Sequence, residues 1–134
     1  MLPAALIRAL DASCITEKIM SFEYLNQIVG EKLSAVVFVL DYHQLQFDGP
    51  TFTILNPITV ISNDSGVAVG EDQFRNRLCA QIAKIVRSVI YTENDSLVVE
   101  FEDGSKISVS LQPEDYVGPE AIVFHGNDNL LAVI

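Results

Sequence analysis

The chain offers few residues for chemistry, and two of them are its histidines. His43 closes the run Asp41-Tyr42-His43, and His125 follows Ile122-Val123-Phe124. Imidazole changes charge near neutral pH, so a general base or multi-histidine metal site would use one or both. If the two strand ends meet in space, Asp41, His43 and His125 form a conceivable zinc or iron set. The plainer expectation is two partly exposed histidines at strand ends. Neither His-x-x-x-His nor Cys-x-x-Cys spacing occurs anywhere in the chain.

The second cluster is acidic: Glu114-Asp115-Tyr116-Val117-Gly118-Pro119-Glu120. Paired carboxylates can do acid–base work or hold a divalent cation, but the calcium-loop spacing is missing. Pro113 and Pro119 stiffen the segment, and Glu114 and Asp115 suit the start of a helical turn. Tyr116 is expected to pack its ring and leave its hydroxyl at a polar edge. Structured loops of this length often carry function, so Glu114, Asp115 and Tyr116 remain candidates for ligand binding.

Searches for a nucleophile end empty. There is no Gly-x-Ser-x-Gly elbow, no phosphate-binding loop and no Gly-x-Gly-x-x-Gly. No catalytic residue, metal or cofactor is therefore called for. Cys14 lacks the basic surroundings that lower a thiol pKa. Cys79 falls within an apolar helical pattern and reads as a small buried hydrophobe. Two widely spaced thiols suit a reducing cytosol better than a Cys14–Cys79 disulfide. Arg75 and Arg77 could grip an anion but read as the solvated side of a helix.

These residues need elements to position them. Pro3 fits the first turn of a short helix reaching Leu10. Thr16, or Ser21, would cap a second helical stretch ending at Gly30, with Phe22, Leu25, Ile28 and Val29 on one face. Leu33 to Leu40 is almost continuously apolar and predicts a strand buried on both faces. Leu45 and Phe47, then Phe52 and Ile54, alternate with polar residues across the Asp48-Gly49-Pro50 turn. Ile58, Val60 and Ile61 follow, and Asn63-Asp64-Ser65-Gly66 predicts a loop. Asp72 would cap a helix carrying Phe74, Leu78, Ile82 and Ile85. Val86 to Tyr91 returns to strand character. Leu97, Val99 and Phe101 meet Ile107, Val109 and Leu111 across Asp103-Gly104, a type I′ hairpin signal. Ala121 to Phe124 and Leu130 to Ile134 are two last apolar runs.

The two halves share an order of helix, strand, strand, turn, strand, with nearly constant spacing between matching residues. Leu45-Gln46-Phe47-Asp48-Gly49 answers Val99-Glu100-Phe101-Glu102-Asp103-Gly104, and Pro57 answers Pro113. One such unit cannot bury both sides of its apolar strands, whereas two packed together can. The expected class is α+β: antiparallel meanders forming a sandwich or partly closed barrel, with two to three helices. Residues 1–19 read as an N-terminal extension. Residues 20–134 read as a single domain of two similar halves, about 22–70 and 72–134.

Three runs carry a resemblance. They are Phe74-Arg75-Asn76-Arg77-Leu78-Cys79, Phe101-Glu102-Asp103-Gly104-Ser105, and Pro113-Glu114-Asp115-Tyr116-Val117-Gly118-Pro119-Glu120. Together with Leu40 to Pro50 they resemble a family of small bacterial proteins of uncharacterised function. The last run is the most specific part. The resemblance implies a bacterial source and one α+β domain, and it transfers no functional residues.

Charge narrows the function classes. The chain has 134 residues, eighteen acids and eight bases, for a net charge of −10. Residues 95–134 hold eight of those acids and one base. Nucleic-acid binding needs clustered cations to neutralise phosphate, so the charge balance argues against that class and no nucleic-acid partner is expected. No window is apolar enough over 18 to 20 residues for a membrane helix. The apolar N-terminus lacks the basic start of a signal peptide, so a cytoplasmic location is expected.

Two readings of function remain. The first is a non-enzymatic protein-binding module, immunity- or antitoxin-like, turning an acidic face to a basic protein. The second is a small-ligand or metal-binding pocket between the two halves, built from Asp41, Tyr42, His43, Glu114, Tyr116 and His125. The chain is expected as a monomer or a homodimer, the latter through Leu130 to Ile134 adding to a sheet edge.

Overall fold

The structure is a computed structural model, and it describes residues 23–134. The expected helix from Pro3 to Leu10, the extension 1–19, Cys14 and the capping residues Thr16 and Ser21 lie outside the described residues. What is described is mostly β: ten strands in two antiparallel five-stranded sheets, with a few short helical segments.

A 3-10 helix over Glu23–Ile28 comes first and buries Leu25 and Ile28. Gly30 closes it at φ 87°, a backbone conformation glycine adopts without a Cβ penalty. Then come β1 (Ala35–Val39), β2 (Tyr42–Gln46), β3 (Thr51–Ile54), β4 (Ile58–Ser62) and β5 (Ser65–Ala68). A short helix, α1 (Phe74–Cys79), separates these from β6 (Val86–Thr92), β7 (Ser96–Phe101), β8 (Lys106–Ser110), β9 (Ile122–His125) and β10 (Leu131–Val133).

The strand orders are β1-β2-β3-β9-β10 and β5-β4-β8-β7-β6. Each sheet thus takes a three-stranded meander from one half of the chain and a hairpin from the other. The exchange is made at β3–β9, where Phe52 stands opposite Phe124, and at β4–β8, where Val60 stands opposite Ile107. Neither sheet closes on itself. Alternation along the strands puts Leu45, Phe52, Phe124, Val60, Val99 and Ile107 into the core, each at most 1 % exposed.

A bridge between Lys32 and Ile85 joins the segments ahead of β1 and β6. Hydrogen bonds surround it in matched pairs. The Gly30 N–H donates to the Val86 carbonyl, and the Ala83 N–H to that of Leu33. The Leu33 N–H donates to the Lys84 carbonyl, and the Val86 N–H to that of Glu31. The step from Gly30 to Ala83 equals the step from Leu33 to Val86.

Several expectations are corrected. β1 is an edge strand, not a doubly buried one: Phe38, Val39 and Leu40 are exposed, Leu40 almost completely at 96 %. Its apolar run reflects a surface, which hydrophobicity alone cannot tell from a core. Asn63-Asp64-Ser65-Gly66 is no loop. Asn63 and Asp64, both at positive φ, make the tight turn of a hairpin whose return strand β5 starts at Ser65. At Asp103-Gly104 only the glycine has positive φ, and the Phe101 N–H reaches the Ser105 carbonyl. That is a type I turn with a glycine bulge, not type I′. Helix α1 stops at Cys79, short of Ile82 and Ile85. Gln73 occupies its N-cap without a side-chain bond, and Asp72 lies one residue further out. Val29, Ile82 and Cys79 are exposed, so Cys79 is not the buried hydrophobe its pattern suggested.

Candidate functional site

β2 carries Tyr42 and His43 on opposite faces of its sheet, because neighbouring residues in a strand point opposite ways. His43 faces inward. Its ring meets Phe38 edge-on at 5.4 Å and Phe74 of α1 at 5.6 Å. Burial among these rings pushes its pKa down, since the charged imidazolium loses water there. Asp41 is exposed in the two-residue turn between β1 and β2.

His125 lies elsewhere. His43 stands opposite Ile54, and Ile54 opposite Ile122, three residues from His125 along β9. That is about 10 Å along the strand, and the alternation turns His125 to the outer face. The structure therefore does not bring Asp41, His43 and His125 together as a metal set. Among the described residues, no three His, Cys, Asp or Glu side chains form a group that could hold a metal ion.

The His43 neighbourhood is a cleft of about 740 Å³ between the β1–β2 hairpin and the segment leading into α1. Phe38, Leu40 and Phe74 give it apolar walls, and Glu71, Asp72 and Arg75 bring charge to it. In the sequence Leu40 reads as the end of an apolar strand and Arg75 as the solvated side of a helix that could grip an anion, and nothing there points to Glu71. Only the fold makes them neighbours.

Glu114, Asp115 and Tyr116 form a separate place. Pro113–Asp115 is a 3-10 turn, as the proline and the acids predicted. The Ser110 hydroxyl donates to the Asp115 carboxylate in a short bond. The Leu111 N–H donates to the Asp95 carbonyl at 2.9 Å, which pins this loop to the tip of the β6–β7 hairpin. That tip carries exposed Glu93 and Asp95, and the loop that follows Leu111 carries Glu114 and Asp115. Tyr116 is half-buried against the core, and burial raises its pKa. Tyr91 is pushed up to about 12, first by burial and then by Glu93, Tyr116 and Tyr24. Tyr24 rises to about 12 by burial, and its ring stacks on Phe124 at 5.5 Å. Sequence reasoning had missed Tyr24, Tyr91, Glu93 and Asp95 as companions of this loop. The Asn94-Asp95 turn was legible, but not its hydrogen bond to Leu111.

One further cluster looks chemical. Ser105 is buried, with its Oγ 2.7 Å from Gln81 Oε1, 2.6 Å from Asp103 Oδ1 and 3.2 Å from Lys84 Nζ. A serine nucleophile needs a neighbouring base to take its proton. Lys84 instead forms an ion pair with Asp103 at 2.8 Å. Lys84 and Ser105 hold the Asp103 carboxyl well below the usual carboxylate range. With the lysine paired to the carboxylate and the serine bonded to both Gln81 and Asp103, the cluster works as a brace for the β7–β8 turn.

No family model, no curated protein and no solved structure matches this chain. Among the described residues, no helix is long and apolar enough to cross a membrane.

Proposed function

We propose that the protein is a non-enzymatic protein-binding module of the immunity or antitoxin kind, presenting an acidic surface to a basic partner. The observation that carries this reading is the Leu111–Asp95 hydrogen bond. It ties the tip that carries Glu93 and Asp95 to the start of the loop that carries Glu114 and Asp115, and half-buried Tyr91 and Tyr116 would add contact area. Such a patch steers a cationic protein during encounter and favours it over neutral competitors. The same reading takes the chain as bacterial and cytoplasmic.

We also read the fold as a sandwich made of two duplicated halves that trade their last hairpins. The matched hydrogen bonds around Lys32 and Ile85, and the crossed strand order, support that reading.

The test is a pull-down with immobilised protein across a salt series, beside a variant carrying Glu93→Gln, Asp95→Asn and Glu114→Gln. A basic protein retained at low salt, then lost both at high salt and in the variant, is the expected result. The same proteins retained by the variant would overturn the reading.

A second reading has one observation behind it. The 740 Å³ cleft at His43 lies where β1–β2 of one half meets the lead-in to α1 of the other. A small polar ligand there would meet His43, Asp72 and Arg75. Glu114, Tyr116 and His125 lie outside the cleft's lining. Chemical-shift changes confined to the cleft on screening small anions and amines would support this reading. Their absence would remove it.

A further inference from the structure

The two sheets have matching topology, but their outward faces differ in charge. On the β5-β4-β8-β7-β6 sheet, Lys106 stands opposite Glu100, and Arg87 reaches Glu100 at 3.1 Å. The other sheet's outward face has no Asp, Glu, Lys or Arg on any of its five strands. Register fixes which residues these are. Gln44 opposite Thr53 and Gln46 opposite Thr51 form the middle, with Val123 and His125 of β9 beside the threonines. Val37 and Val39 line one edge of this face, and Leu131 and Val133 the other. Leu131 is 60 % exposed and Val133 51 %.

We propose that this face joins two copies of the chain, sheet against sheet, about a two-fold axis. Each copy carries a net charge of −10, so two copies repel one another overall as they approach. Like charges facing each other across a contact are costly, and this uncharged face avoids that cost. The pattern is also self-complementary, as a two-fold interface requires. With apolar strips at both edges and amides and hydroxyls between, either in-plane two-fold lays apolar on apolar. The two-fold running across the strands also lays Gln and Thr on Gln and Thr, which both donate and accept, whereas the one along the strands would set Gln44 and Gln46 against Val123 and His125. Gln44 Nε2 already donates to Thr53 Oγ1 at 3.1 Å, which fixes the central side chains before contact. A five-stranded footprint is roughly 24 Å across by 15 Å along the strands. That lies below the size of stable specific interfaces, so the dimer is weak and transient, not obligate.

Sedimentation velocity over a concentration series tests this. The wild type is expected to shift from monomer to dimer, and to dimerise more tightly as salt screens the repulsion between copies. Thr53→Glu places a carboxylate at the centre of the face and should weaken association by at least roughly tenfold. Gln44→Glu, close to isosteric, repeats the test with less risk to folding. Ser108→Glu, on the outward face of the other sheet, should leave the dimer intact. A chain that stays monomeric throughout, or a dimer that Thr53→Glu and Gln44→Glu both leave unchanged, would overturn the proposal. So would a dimer lost equally in Ser108→Glu.

Discussion

His43 meets Phe74 edge-on, with 5.6 Å between ring centres, so a side chain of β2 rests directly on α1. Phe38 closes the same ring from β1 at 5.4 Å. Protonating His43 would place a cation partly out of water at this junction. Its pKa is accordingly below the unfolded value of about 6.5. The unfolded chain then binds more protons between the two pKa values, and stability rises with pH across that window. The stability loss is absent above about pH 6.5 and grows as pH falls, levelling off below the folded pKa. Urea midpoints through this range should fall more steeply for the wild type than for His43→Phe. Parallel slopes would contradict the assignment.

Ala83 has φ 80°, in the region that favours glycine, and its partner in the matched bonds, Gly30, has φ 87°. An L-residue there costs about 1 kcal/mol or more through its Cβ. Ala83→Gly should therefore raise stability by about 0.5–1 kcal/mol despite the greater freedom of the unfolded chain. Gly30→Ala should lower it by about 1 kcal/mol. A Cβ on Gly30 meets nothing within 4 Å, so its loss would be conformational, not steric. Opposite signs for the two substitutions in chemical denaturation are the check.

That pair shows what the sequence could and could not convey. Alternation at Phe52, Ile54, Ile107 and Val109 was legible as strands with one buried face, because a period of two survives any packing. The partnership of Phe52 with Phe124 was not. It depends on which hairpin crosses to which sheet, and no local spacing encodes that. The same limit explains β1. Val36 to Leu40 has the composition of a central strand but forms an edge, since position in a sheet is set by pairing, not hydrophobicity. The acidic loop was legible as a turn from Pro113, Glu114 and Asp115. Its meeting with Glu93 and Asp95 rests on one backbone bond between Leu111 and Asp95. Helix α1 ended early because the Ala83 N–H bonds to Leu33 across the two halves, a contact stronger than the helical pattern continuing to Ile85.

Gln27 makes another contact of that kind. Its Oε1 accepts the Asn127 N–H at 2.8 Å, tying the first described helix to the β9–β10 turn. Gly126, beside it, has no room for a side chain. A Cβ there would come within 2.6 Å of Gln27 Oε1 and 2.9 Å of Phe124 Cε2. Gly126→Ala must push the flexible glutamine and a buried ring, so a loss of about 1–3 kcal/mol is expected. Gln27→Ala should cost about 1 kcal/mol and speed hydrogen exchange at Asn127 more than at Phe124. Equal acceleration at both amides would mean the tie is not local.

Gln81 is 1 % exposed, and every polar atom of its amide head is used on one side or the other of the β7–β8 brace. Its Nε2 donates to the Arg77 carbonyl at 3.0 Å, and its Oε1 accepts from Ser105 and Lys84. Gln81→Leu keeps the volume and strands these partners, so it should cost about 1–3 kcal/mol. Ser105→Ala should cost less, about 1 kcal/mol, because Gln81 Oε1 keeps Lys84. The double variant should lose about 0.5–1.5 kcal/mol less than the two singles combined, since both remove the same bond. Asp103 adds a pH signature of the same sense as that of His43, in a more acidic window. Its depressed pKa contributes stability above the unfolded carboxylate value of about 3.9, lost as pH falls below it. Half of that side chain is exposed, so solvent screening keeps the contribution small. A shallower acid limb for Asp103→Asn than for the wild type, with additive costs ruled out at Gln81 and Ser105, would establish the brace as one coupled unit.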